Sequence, residues 1–214
     1  MNKHTKRGCV LVALGLCMVL AGTAMYMMYR KQDSLAGQNA SALLDQFKAN
    51  RHLFVEAPER PGHSQPMENP EAATGVPGET QPQEMPEMSY SGYSIIGILR
   101  VPSLGLELPV LKNWSYPLLN VAPCRYSGNL ADGNLIIMGH NYASHFTPLH
   151  YIELGTAVEF EDAWGNVHRF VVETRETLHK TQGEDLPSDY PLSLFTCTAG
   201  GQSRLVIRCG EAPK

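Results

Sequence analysis

The chain has 214 residues, 18% of them charged, and a formal net charge of −4. That balance supplies no cationic stripe able to neutralise phosphates, which excludes a nucleic-acid partner. The length allows one or two domains, but two stretches are too poor in core-forming residues, so a single folded unit of the last 120 or so residues is expected.

Residues 8 to 29 (GCVLVALGLCMVLAGTAMYMMY) are uncharged. As a helix rising about 1.5 Å per residue, they suffice to cross a bilayer core of roughly 30 Å. Lys3, Lys6 and Arg7 precede the run and Arg30 and Lys31 follow it. The slight cationic excess before it favours a cytoplasmic N-terminus and an extracellular C-terminal bulk. A cleaved signal peptide ending near Gly22-Thr23-Ala24 is the competing reading. The anchor is preferred because the apolar run continues through Met25 to Tyr29. Leu16 before Cys17 is too bulky for a lipoprotein site, so Cys9 and Cys17 read as apolar helix residues.

From residue 32 to 55 helix formers carry an irregular apolar stripe of Leu35, Leu43, Leu44, Phe47 and Leu53, with Gly37 weakening its start. A juxtamembrane helix is expected there, after a tail and anchor over 1–31. Residues 56–89 hold seven prolines and seven glutamates, a composition that buries little apolar surface and predicts a spacer.

Residues 90–214 change texture. Short β-branched and aromatic runs alternate with Gly, Pro, Asn and Asp, the pattern of an all-β domain. Strands are expected at Tyr93–Val101, Leu106–Leu111, Asn134–Gly139, Ala157–Glu161, Val167–Thr174, Leu192–Cys197 and Arg204–Cys209. Asp162 to Asn166 supplies turn residues for a hairpin, and Thr147-Pro148 is a helix start with a capping hydroxyl and proline at the first position.

The chemistry concentrates at strand ends. Cys197 closes the apolar run LSLFTC, a Gly-rich turn follows over 198–203, and Arg204 opens the next strand. An antiparallel hairpin brings thiol and guanidinium side by side. A thiolate is the nucleophile, and a fixed cation lowers the cost of making it; arginine also suits a developing oxyanion. The plainer reading is a small buried cysteine and a surface arginine. A second element favours chemistry: the strand LIIMGHN ends on His140, after Gly139, which allows a close approach. A histidine after a strand is, taken alone, more often structural.

Taken in order, Gly139-His140-Asn141, the Leu149, Tyr151, Leu154 and Gly155 segment, the strand ending in Thr196-Cys197 and the turn to Arg204 resemble the sortase family. The opening Ile96-Gly97-Ile98-Leu99 with Val101-Pro102 and Leu108-Pro109-Val110 is similar to its first two strands, so the resemblance spans about residues 90 to 209. It implies a closed eight-stranded β-barrel with one or two short helices. It implies transpeptidation, with Cys197 attacking the Thr–Gly bond of an LPxTG-like sorting signal to form a thioester. His140 would protonate the leaving amine and then deprotonate the incoming one, drawn from a peptidoglycan precursor or another amine acceptor, while Arg204 would hold substrate and stabilise charge. At ordinary values of about 8.5 for a cysteine and 6.5 for a histidine, the neutral pair dominates at neutral pH, and family members are thought to work from the minor thiolate–imidazolium form.

No cofactor or metal is expected. His140, His145 and His150 recur every five residues, unlike the helical i, i+4 zinc pairing. Glu153, Glu159, Glu161, Asp162 and Glu173 could hold activating calcium, as in some sortases, but lack a defined ligand spacing. Cys124 and Cys209 read equally as a disulfide or as buried thiols. No second apolar segment follows the barrel, no aromatic lid motif precedes it, and the stretch from Thr174 to Pro191 is short and polar, which favours an anchoring role over pilus polymerisation. Two other functions compete. Another envelope cysteine peptidase or acyltransferase is disfavoured by the 57 positions from His140 to Cys197 and by the absence of any histidine beyond Cys197. A non-enzymatic anchored peptide-binding β-domain would leave Cys197 inert.

Overall fold

The computed structural model describes residues 3–55, 85–182, 186–198 and 200–213. The expected spacer therefore lies, from 56 to 84, outside the described residues. Helix α1 runs without a break over Lys3–Val55. It is, among the described residues, the one helix long and apolar enough to cross a membrane. From Leu11 to Tyr29 its large apolar side chains are exposed, as an anchor surrounded by lipid requires.

Past the apolar segment one face of α1 turns inward. Ala36, Ala40, Leu43, Leu44 and Phe47 are buried, at spacings of four, three, one and three that line a single helical face. Leu35, placed in the stripe by hydropathy, is 48% exposed. Small residues, Ala36 and Ala40, rather than a leucine begin the packed face.

Nine strands follow: β1 (Met88–Tyr90), β2 (Tyr93–Val101), β3 (Leu106–Leu111), β4 (Cys124–Ser127), β5 (Leu135–Met138), β6 (Ala157–Asp162), β7 (Val167–His179), β8 (Leu192–Cys197) and β9 (Ser203–Glu211), with a one-turn helix α2 (Tyr116–Leu119) between β3 and β4. Their order is β1-β2-β3-β4-β5-β8-β9-β7-β6, and β6 pairs back with β2. Eight strands thus close into a barrel, and β1 adds a short hairpin arm on β2. Closure leaves no long unpaired edge. Most pairings are antiparallel; β3–β4 and β5–β8 are parallel.

The interior is filled by one continuous cluster that includes Ile98, Leu108, Leu135, Ile137, Phe160, Leu192, Leu194 and Ile207, with Phe47 of α1 joining it. A smaller cluster of Ile136, Leu186, Phe195 and Val206 covers the outer face of β5, β8 and β9. Both faces of these strands are therefore dry, so LIIM and LSLFT read as unbroken apolar runs rather than alternations.

Several boundaries depart from expectation. β7 continues to His179, paired with β9 as far as Ser203, because a solvated antiparallel ribbon tolerates the polar residues after Thr174. β4 is a four-residue strand joined to β3 by one pair, Leu111 with Cys124, too short to show a period. Residues Thr147–Tyr151 form a 3₁₀ helix with Phe146, not Thr147, at the cap. The Thr147 hydroxyl instead bonds Asn141 Oδ1 at 2.8 Å. The Asp162–Asn166 turn forms as expected, Asp162 Oδ1 accepting from the amides of Trp164 (3.0 Å) and Asn166 (2.9 Å).

Candidate active site

Strand register carries the candidate residues to one place. β8 and β9 are antiparallel, and their last pair before the turn is Cys197 with Arg204. Directly opposed residues share a face of the sheet. The turn is closed by Thr198 N–H to the Ser203 carbonyl at 2.9 Å. β5 and β8 are parallel with Met138 opposite Phe195, and Gly139 N–H continues the ladder to the Phe195 carbonyl at 3.1 Å. One further step of two on each strand reaches His140 and Cys197, again on one face.

All three side chains line a single pocket of about 150 Å³. Cys197 is exposed and His140 and Arg204 are half-buried. Arg204 Nη1 donates to the Lys180 carbonyl at 2.6 Å, which ties the guanidinium to the end of β7. Burial lowers the pKa of His140 below the usual histidine value, since the charged imidazolium loses solvation there. Gly139 is required by packing: a Cβ at this position would lie 2.6 Å from the Phe146 ring. The close approach expected there is thus made by an aromatic side chain, which holds the His140 loop against the barrel.

The rest of the pocket is apolar and went unnoticed in the sequence. Trp114, Tyr116 and Tyr126 stand along one side with Phe195, Met138 and Leu186. Their rings form a chain: Trp114 to Tyr116 at 6.1 Å, Trp114 to Tyr126 at 5.6 Å, and Tyr126 to Phe195 at 5.2 Å edge-on. Trp114 is 42% exposed, an open aromatic surface beside a thiol. The cluster Trp114-Ser115-Tyr116-Pro117 was the available signal, large rings set among turn residues. Leu186 is held in place by Arg208, a buried cation whose Nη1 donates to the Leu186 carbonyl and to Ser188 and Ser193 Oγ, while Nε donates to Glu176 Oε1 at 2.8 Å.

Cys124 and Cys209 are both free and fully buried. The disulfide alternative therefore gives way to buried thiols: Cys124 sits opposite Met138 and Cys209 opposite Leu192, on strands that are not neighbours. Among the described residues, no group of three or more His, Cys, Asp or Glu is arranged to hold a metal ion. Several of the acidic residues weighed for calcium are engaged elsewhere, Glu161 with Arg100 at 2.7 Å, Glu159 with Arg169 at 3.3 Å and Asp162 within its own turn.

A family model described as a sortase domain matches residues 99–212. The chain belongs to the sortase family. Solved sortases share its barrel: sortase C1 of Streptococcus suis aligns with a TM-score of 0.50 at 21% identity, covering 56% of this chain and 74% of that one. Sortase C1 of Streptococcus agalactiae aligns with a TM-score of 0.50 at 20% identity over 55% and 67% of the two chains. Sortase C of Streptococcus pneumoniae gives 0.50 at 19% over 56% and 70%. At these identities the likeness is one of fold. No curated protein sequence matches significantly. Membership makes this sortase a transpeptidase of the envelope, and α1 is compatible with a membrane anchor.

Proposed function

We propose that this sortase cuts an LPxTG-like sorting signal between Thr and Gly and joins the freed acyl group to an amine, a peptidoglycan precursor or another surface protein. In this reading residues 1–31 are the cytoplasmic tail and anchor, 32–55 a juxtamembrane helix, 56–89 a linker, and 90–214 the catalytic domain outside the membrane. The observation that supports this reading is the convergence of His140, Cys197 and Arg204 on one aromatic-walled pocket.

In the first step Cys197 Sγ bonds to the threonine carbonyl carbon, and the carbon–nitrogen bond breaks as His140 gives a proton to the departing glycine amine. In the second an acceptor amine attacks the thioester, His140 takes its proton, and the thiolate leaves. Arg204, fixed beside the sulfur by strand register, stabilises the tetrahedral oxyanion in both steps. The aromatic wall gives the apolar part of the signal a surface to displace water from.

The experiment is turnover of a fluorogenic sorting-signal peptide with intact-mass detection of the acyl-enzyme. Wild type is expected to show an adduct that reports the cut, while Cys197→Ala and His140→Ala lose at least about a thousandfold in turnover and keep wild-type folding. Peptide cleavage retained by Cys197→Ala would sink the mechanism and favour a rival catalytic group; absent turnover with tight peptide binding would favour the binding-module alternative.

A further inference from the structure

Helix α1 leaves its apolar segment at Tyr29 and then runs against the loop that carries His140. Contacts come from residues four apart on one helical face. Tyr29 Oη donates to the Asn141 carbonyl at 2.8 Å, and its ring meets Tyr142 edge-on at 5.9 Å. Tyr142 in turn lies 4.7 Å from the His140 ring. One turn later, Asp33 Oδ1 accepts from the Ser144 amide at 3.0 Å and from the Ser144 hydroxyl at 2.7 Å. A further turn on, Gly37 faces the same serine: a Cβ there would stand 2.9 Å from Ser144 Cβ. Gly37, a poor helix former that weakens the stripe in sequence terms, is the residue whose missing side chain lets helix and loop touch.

The loop's other bonds are largely its own. Phe146 N–H reaches the His140 carbonyl at 3.1 Å and Thr147 N–H the Tyr142 carbonyl at 3.0 Å. These fix its shape; Phe146, buried in the core, and Tyr142 Oη, which donates to Asn120 Oδ1 at 3.0 Å, tie it to the barrel, and α1 braces it from the other side. Displacing a catalytic group by about 1 Å costs on the order of a hundredfold in rate, so a loop held by a charged acceptor is better placed for proton transfer than one held by packing alone.

We propose that Asp33, with Tyr29 and Gly37 on the same face of α1, is a positioning residue that holds the His140 loop, making the anchor helix a working part of the active site. The proposal rests on the reading that His140 moves the proton in transpeptidation. It places the boundary of the functional enzyme at the membrane rather than at the start of the barrel.

The test uses the full chain in detergent micelles with the sorting-signal peptide. Asp33→Ala is expected to lower kcat about tenfold with KM within about twofold. Asp33→Asn keeps the acceptor oxygen and is expected to restore kcat to within about twofold of wild type. Gly37→Ala raises helix propensity, yet is expected to lower kcat because the added methyl wedges Ser144 away. Hydrogen exchange across 140–147 reports the brace without turnover: Asp33→Ala and Gly37→Ala are both expected to speed it severalfold. Wild-type kcat and exchange in Asp33→Ala or in Gly37→Ala overturn the proposal, as does an equal kcat loss in Asp33→Asn and Asp33→Ala. Retained turnover in His140→Ala overturns the parent reading instead, and exchange then still decides whether the brace exists.

Discussion

Cys124 and Cys209 lie in the barrel interior, fully buried, and burial pushes both thiols up to about 12; Cys197 ends β8 at the rim, exposed, across the ladder from Arg204. The same atom type meets opposite surroundings within one sheet. An interior thiol has no solvent to stabilise its anion and serves as a small apolar residue, whereas the rim thiol of Cys197 is open to water and stands across the ladder from an arginine. Exposure of a thiol in this fold is thus a matter of where a strand stops.

The contrast is sharpest in labelling. A methanethiosulfonate reagent at about pH 7.5, followed by peptide mapping, is expected to modify Cys197 at least about a thousandfold faster than Cys124 or Cys209, whose thiolate fractions are on the order of 10⁻⁴ or less. Comparable labelling of all three in folded protein would erase the distinction between rim and interior.

The two neighbouring histidines break the same way. His140 is half-buried at the rim; His145, five residues on, is wholly buried. Burial holds the His145 ring down to about 4, with nearby His140 lowering it further while the Ala36 backbone and Asp33 oppose the shift. A folded value below the ordinary 6.5 means that the unfolded chain takes up a proton which the folded chain refuses. The stabilisation is complete above about 6.5 and is lost as pH falls from there towards 4, by on the order of 3 kcal/mol. Denaturant unfolding at pH 7 and pH 4.5 measures it. His145→Phe is expected to shrink the difference between the two pH values by on the order of 2 kcal/mol, because carboxylates held low elsewhere, such as Asp162 and Glu107, contribute alike in both proteins. An unchanged difference would place the acid sensitivity in those carboxylates.

Much of this was legible from the chain. Strands buried on both faces announce themselves as apolar runs, so β5 and β8 stand out, with His140 two residues past the end of the first and Cys197 closing the second. The turn over 198–203 forces Arg204 back beside the thiol, which a hairpin does at any reasonable register. What stayed hidden is what is made of non-adjacent pieces. β4 is four residues long, β7 continues through Glu, Arg and Thr that look like loop, and the pocket wall is assembled from Trp114 and Tyr116 near α2, Tyr126 on β4, and Leu186 held by Arg208. On the packed face of α1, hydropathy found Leu43, Leu44 and Phe47 but put Leu35 inside and passed over Ala36 and Ala40, because small residues carry too little apolar area to stand out.

The aromatic side of the rim offers the smallest and most discriminating comparison with its polar side. Trp114 touches Tyr116 and Tyr126 but belongs to neither the thiol nor the imidazole, so its removal should weaken the hold on substrate and leave the chemistry alone. An aromatic contact of this kind is worth about 0.5–1.5 kcal/mol beyond burial, and with the burial lost as well the sum is close to tenfold in an equilibrium constant. Trp114→Ala is therefore expected to raise KM for the sorting-signal peptide about tenfold, with kcat within about threefold and the rate of Cys197 labelling by a small reagent unchanged. A fall in kcat at constant KM would mean that the ring orders the reacting groups, and the division of the rim into a binding side and a reacting side would fail.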